Sequence, residues 1–215
     1  MYLRATRVHV PADKVKEAIH DFEKNVAPAV RKVSGNLGAG LLVNRQSGEA
    51  LAITYWDSAK SLGASEQTGV DTRSGTAQRV PGMQIVNVER AEVMIMDRAA
   101  EPKAGTMLRL TSATGDIDKL DAGVSHVRTK VLPLAKAQKG YRGMVGAIDR
   151  QTGRAFVSST WDTLADLEAS EKVVSPTRAE SAKISGLIPE TVKVEIFEAA
   201  VFDLAPAAVG QPAKT

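Results

Sequence analysis

The chain repeats itself. Shifted by 105 residues, positions 3–77 align without a gap on positions 108–182, and 22 of the 75 pairs are identical. Leu3-Arg4 falls on Leu108-Arg109, Asp13-Lys14 on Asp118-Lys119, and Pro28 on Pro133. Arg45-Gln46-Ser47-Gly48 falls on Arg150-Gln151-Thr152-Gly153, Trp56-Asp57 on Trp161-Asp162, and Thr72-Arg73 on Thr177-Arg178. A solenoid repeats every ~20–50 residues. A period of 105 therefore means two copies of one domain-sized unit. The expected division is a first repeat over 1–97, a linker over 98–106, a second repeat over 107–204 and a disordered tail over 205–215.

Both copies carry the same pattern. A short alternating stretch over 2–9 reads as a strand. Val15, Ile19, Phe22, Val26, Ala29 and Val33 then step by three and four, as do Leu120, Val124, Val127, Val131 and Leu134. That is helical spacing. Pro28 and Pro133 sit inside it and should kink or shorten the helix. Two apolar runs around Gln46-Ser47-Gly48 or Gln151-Thr152-Gly153 give a hairpin. A second helix starts at Asp57-Ser58 or Asp162-Thr163, which are good caps. Gly63, Gly69 and Gly75 weaken it in the first copy, and Asp71 and Pro176 are expected to split it. A long last strand closes each unit. Its apolar alternation changes phase after Val88 and after Ile196, and a bulge would do that.

The order strand–helix–strand–strand–helix–strand is the split β-α-β arrangement of the ferredoxin-like fold. The expected class is α+β, with two such repeats forming one barrel within a single chain by packing their bare sheet faces together. Each unit ends its third strand in Trp-Asp and continues into a Ser-Glu-containing second helix. With the four-stranded order, this resembles the dimeric α+β barrel superfamily, in particular the antibiotic-biosynthesis-monooxygenase type domain. The resemblance implies a small-molecule-binding barrel or a cofactor-independent monooxygenase acting on a small aromatic or polyketide-like substrate. It also admits a non-catalytic ligand-binding or stress-associated barrel protein, and a haem-binding protein without haem degradation.

Composition closes off other chemistry. No cysteine occurs, so thiolate catalysis, iron–sulfur ligation and disulfides are excluded. Net charge is +3 with mixed signs and aromatics are 4%, so no nucleic-acid partner is expected. No apolar run reaches the ~18–20 residues of a membrane span. The N-terminus reads as patterned sequence rather than a signal peptide, which makes a cytoplasmic location the default. No dinucleotide, phosphate-loop or nucleophile-elbow motif is present, and no cofactor is expected. The histidines His9, His20 and His126 show no ligand spacing. No metal is expected, and surface positions suit them better than axial ligation of haem.

Four residues are the candidate ligand-binding set. Trp56 and Trp161 could wall a pocket for a planar molecule or plug the core. Arg73 and Arg178 could hold a carboxylate or enolate, or pair with Glu66 and Glu171 seven residues earlier. Arg4 and Arg109 lie on strands that should be internal and need partners. Glu89 and Glu195 on the fourth strands are the candidates. The expected partner is a small molecule, and the protein is expected to be a monomeric barrel or a homodimer.

Overall fold

The computed structural model describes residues 1–101 and 103–204; the expected tail at 205–215 lies outside the described residues. The first repeat contains β1 (Tyr2–His9), α1 (Val15–Asp21), α2 (Ala27–Arg31), β2 (Asn36–Val43), β3 (Glu49–Trp56), α3 (Ala59–Ala64), α4 (Glu66–Arg79) and β4 (Gln84–Arg98). The second contains β5 (Met107–Thr114), α5 (Leu120–His126), α6 (Leu132–Lys136), β6 (Tyr141–Asp149), β7 (Arg154–Trp161), α7 (Leu164–Ile184) and β8 (Lys193–Leu204). Hydrogen bonding orders the strands β1-β3-β2-β8-β5-β7-β6-β4 in a closed barrel. The fold is therefore α+β, two ferredoxin-like repeats sharing one antiparallel barrel sheet.

The prolines act through the helix geometry. Between α1 and α2, Phe22–Val26 forms a π-helical turn, and Val127–Val131 does the same between α5 and α6. The Ala27 N–H reaches back five residues to the Phe22 carbonyl, and the Leu132 N–H to that of Val127. Pro28 and Pro133 follow at the start of the next helical segment. Proline has no N–H to donate and crowds the carbonyl four residues back. A wider turn accommodates both defects without ending the helix.

The second helix departs from expectation. In the first repeat the break falls at Ser65, between α3 and α4, rather than at Asp71. In the second, α7 runs unbroken for 21 residues with Pro176 inside it. Leu167, Ser170, Val174 and Ser181 are buried along α7, so packing outweighs the single missing hydrogen bond.

The last strands do carry bulges, but further along than the phase change. The β4–β6 register slips between Val93 and Ile95, and the β2–β8 register slips between the Leu41–Val201 and Leu42–Ala199 pairs. The phase change marks something else. One compact unit includes Met1–Arg90 and residues 198–204; the other contains Ala91–Glu101 and Gly105–Phe197. Each last strand thus starts in one unit and ends in the other, and its apolar residues go from exposed (Val86, Val194) to buried (Ala91, Phe197) near that point.

Both hairpin turns depend on glycine. Gly48 and Gly153 have φ of +74° and +72°. A Cβ at Gly48 would lie 2.2 Å from the Val10 carbonyl oxygen, so no other residue fits.

A buried carboxylate ties α1 to α4. Asp21 is 4% exposed and accepts from Asn25 Nδ2 at 2.7 Å, from Thr76 Oγ1 at 2.6 Å and from Arg79. Burial pushes its carboxyl up, but these three donors outweigh burial and hold it below the usual carboxylate range. A depressed folded-state pKa stabilises fully above the unfolded value of about 4 and is lost as pH falls through the folded value. Asp21→Asn is expected to cost about 1–3 kcal/mol at pH 7. In urea denaturation its deficit against wild type should shrink from about pH 4 downwards; a deficit unchanged at pH 3 would contradict this assignment.

Candidate functional site

Each first strand buries an arginine, and the second helix supplies its acid. Arg4 is 3% exposed and donates from Nη2 to Glu66 Oε2 at 2.9 Å and to the Leu62 carbonyl at 3.0 Å. Arg109, 5% exposed, donates to the Leu167 carbonyl at 2.8 Å and pairs with Glu171 Oε2 at 2.8 Å. The acids are therefore Glu66 and Glu171 rather than Glu89 and Glu195. A turn of helix packed over the strand outcompetes the neighbouring strand for the guanidinium. Arg73 and Arg178 pair with the same two acids. Burial raises the Glu171 carboxyl, but Arg178 and Arg109 outweigh it and hold its pKa low. Arg109 is lowered chiefly by burial and further by Arg178. The group of Arg109, Arg178 and Glu171 keeps one uncompensated positive charge.

A cavity opens beside each group. In the C-terminal repeat it measures about 440 Å³, and in the N-terminal repeat about 70 Å³. Aligned positions explain the difference. Phe22, Leu41, Val30, Ala18 and Val8 line the small cavity. Their counterparts in the large one are Val127, Gly146, Ala135, Gly123 and Ala113. Every one of these exchanges removes side-chain volume in the second copy. Among the positions that line both cavities, two exchanges run the other way, Ala52 to Val157 and Gly69 to Val174. The cavity reaches the β7 side chains, which are half-buried where those of β3 are mostly buried.

The four candidate residues separate by repeat. Trp161 and Arg178 line the large cavity, and Arg73 lines the small one. Trp56 is fully buried within the N-terminal core cluster beside Leu62 and Val80. Each indole N–H is satisfied locally, by Thr54 Oγ1 at 3.0 Å and by Ser159 Oγ at 2.9 Å. Tyr141 packs edge-on against Trp161 at 5.5 Å. Burial and then Asp97, which accepts its hydroxyl at 2.9 Å, push the Tyr141 phenol far above its ordinary value, so it stays protonated.

His126 is not a surface residue. Its side chain is 13% exposed, with Nε2 3.5 Å from Glu180 and Nδ1 2.8 Å from Ser181 Oγ. Ser181 lines the large cavity. His126 aligns with Asp21, and Ser181 with Thr76, so a helix-bridging pair has become a cavity-side hydroxyl backed by imidazole. The gapless alignment carries this signal in the Asp21–His126 pair. With both ring nitrogens engaged, His126 does not suit axial ligation of haem. Among the described residues no group of three or more His, Asp or Glu could hold a metal ion.

Residues 1–70 match the family model described as antibiotic biosynthesis monooxygenase. The second copy aligns on this segment at a shift of 105 residues and repeats its strand and helix order. An uncharacterized protein of Mycobacterium tuberculosis is 27% identical over 186 residues, 86% of this chain and 82% of its own; a second from that organism is 27% identical over 205 residues, 95% and 85%. Among solved structures, an anthrone oxidase-like protein superposes with a TM-score of 0.66 at 12% identity, covering 95% of this chain and 94% of its own. A haem-degrading enzyme from Listeria monocytogenes gives 0.54 at 8%, covering 91% and 98%. A monooxygenase-like protein from Listeria innocua gives 0.55 at 9%, covering 93% and 95%. These likenesses extend the shared fold over both repeats. No helix among the described residues is long and apolar enough to cross a membrane.

The volume argument has a direct test. Val127→Phe fills existing space and is expected to change stability by no more than about 1 kcal/mol. Phe22→Val opens a void in a filled repeat and is expected to cost about 2–4 kcal/mol. Chemical denaturation of both variants checks the contrast; equal losses would refute the assignment of filled and hollow repeats.

Proposed function

We propose that the C-terminal repeat is the functional half, and that its cavity binds a mainly apolar small molecule carrying one anionic group. The observation that carries this reading is the 440 Å³ cavity itself, lined by residues such as Val127, Val157 and Trp161, with Arg109 and Arg178 at one side. Its size suits a ligand of drug-like dimensions. The single excess positive charge suits a carboxylate, phenolate or enolate.

The finer reading is a cofactor-independent monooxygenase acting on a small aromatic or polyketide-like substrate. The domain match and the monooxygenase-like relatives support it. In such a reaction an activated CH₂ group loses a proton to give an enolate held by the arginine pair. Dioxygen attacks the carbanionic carbon. One oxygen atom stays as a new carbonyl, and the other leaves as water with the two hydrogens of the original CH₂. The substrate is the reductant, so no bound redox group is required. Ser181, backed by His126 Nδ1, is the cavity hydroxyl through which the proton would leave.

The test is oxygen uptake and thermal-shift measurement with a panel of phenols, anthrones and neutral analogues. Wild type is expected to bind acidic members in preference to neutral ones. Val127→Phe should abolish binding, and Arg178→Gln should weaken acidic ligands about tenfold, or about 1.4 kcal/mol. Ser181→Ala should lower kcat with KM little changed. Tight binding without oxygen uptake across the panel would favour a ligand-binding protein over an enzyme. No binding at all would overturn the site.

A further inference from the structure

The filled repeat keeps an arginine cluster that its small cavity does not need for packing. Glu66 pairs with three arginines, Arg4 at 2.9 Å, Arg90 at 2.7 Å and Arg73 at 3.5 Å. One carboxylate is therefore shared by three guanidinium groups here, against two in the C-terminal repeat. Arg90 accounts for the difference.

Two of these guanidinium groups converge. A Cβ placed on Gly69 would lie 2.9 Å from Arg4 Nη1 and 3.1 Å from Arg73 Nη1, so the two nitrogens are within about 6 Å of each other. Arg4 spends its Nη2 on Leu62 and Glu66, and Arg73 its Nη2 on Glu66. The buried Arg4 Nε has no hydrogen-bond partner. Two like charges at this distance repel, and uncompensated donors away from water are costly. Val174 stands at the Gly69 position in the second repeat. At Gly69 a side chain would collide with the two guanidinium groups, so the absence of a Cβ is what lets both lie against the helix there.

The cavity beside these donors supplies the rest. Arg4, Arg73 and Gly69 line it together with Thr6 and Thr54. Thr54 Oγ1 accepts from the Trp56 indole, which leaves its own hydroxyl proton to donate. The remaining wall is apolar, formed by Val8, Phe22, Val26, Val30, Leu41 and Met83. A water needs about 10–15 Å³ of such space, so 70 Å³ holds a body of about five non-hydrogen atoms.

We infer that the N-terminal cavity is a second ligand site, specific for a short aliphatic carboxylate. Its carboxylate would bridge Arg4 and Arg73 at the cavity wall, with the two- or three-carbon tail among the apolar residues. Two guanidinium groups lining one small cavity suit a carboxylate's two oxygens. The apolar wall disfavours fully hydrated phosphate or sulfate. The site is independent of the reading given for the larger cavity.

The experiment is isothermal calorimetry of the full chain with acetate, propionate, butyrate, benzoate, phosphate and sulfate at constant ionic strength in chloride. Propionate and butyrate are expected to bind saturably, benzoate to be excluded from this site by size, and both inorganic anions to bind at least tenfold more weakly. Arg73→Gln should weaken butyrate at least tenfold, while Arg178→Gln and Val127→Phe leave it unchanged. Gly69→Val, which copies the second repeat, should abolish it and serves if Arg73→Gln does not fold. Absence of carboxylate binding, preference for phosphate or sulfate, or loss through Arg178→Gln rather than Arg73→Gln would each overturn the inference. Failure of the phenol and anthrone panel alone would leave this site standing.

Discussion

Arg4 and Arg109 are charged groups held out of water on the first strand of each repeat. A guanidinium cannot shed its proton to escape that cost. Each must therefore find a carboxylate and carbonyls, and the second helix delivers both from one stretch, Leu62 to Glu66 and Leu167 to Glu171. That requirement fixes where the helix crosses the strand. It also draws Arg73 and Arg178 to the same acids, which assembles a positive corner beside each cavity. Packing elsewhere is free to vary; this ionic hinge between strand and helix is common to both copies.

Much of the architecture could be read from the residues. The duplication, the three-four spacing of Val15 through Val33 and the glycine turns after Gln46 and Gln151 each correspond to an observed element. The misreadings share a cause. The partners of Arg4 and Arg109, the continuity of α7 past Pro176 and the displacement of the bulges all depend on what lies across the core, which local pattern does not encode. The prolines were legible as a perturbation, but the π-helical turn that absorbs them is a backbone solution with no residue of its own.

The site was less legible, for a different reason. Identical pairs identify the duplication, yet the cavities follow from the pairs that differ. Phe22 against Val127 and Leu41 against Gly146 look like ordinary apolar exchanges until their side chains are seen around one space. His126 against Asp21 is likewise a change of charge and chemistry at one helix-bridging position. One copy has kept volume, the other has lost it, and the arginine framework persists through both.

The closing strands have a bearing on how the chain can be cut. Because β2 hydrogen-bonds to the far end of β8, and β6 to the far end of β4, each half borrows its outermost rung from the other. A fragment of residues 1–97 would leave Gly38–Val43 as an open, largely apolar edge. Such a fragment is adhesive by construction, trading strands with its twin or clumping. Supplied with the complementary piece it has a native mate waiting, which makes the linker a natural seam for a two-fragment complementation reporter.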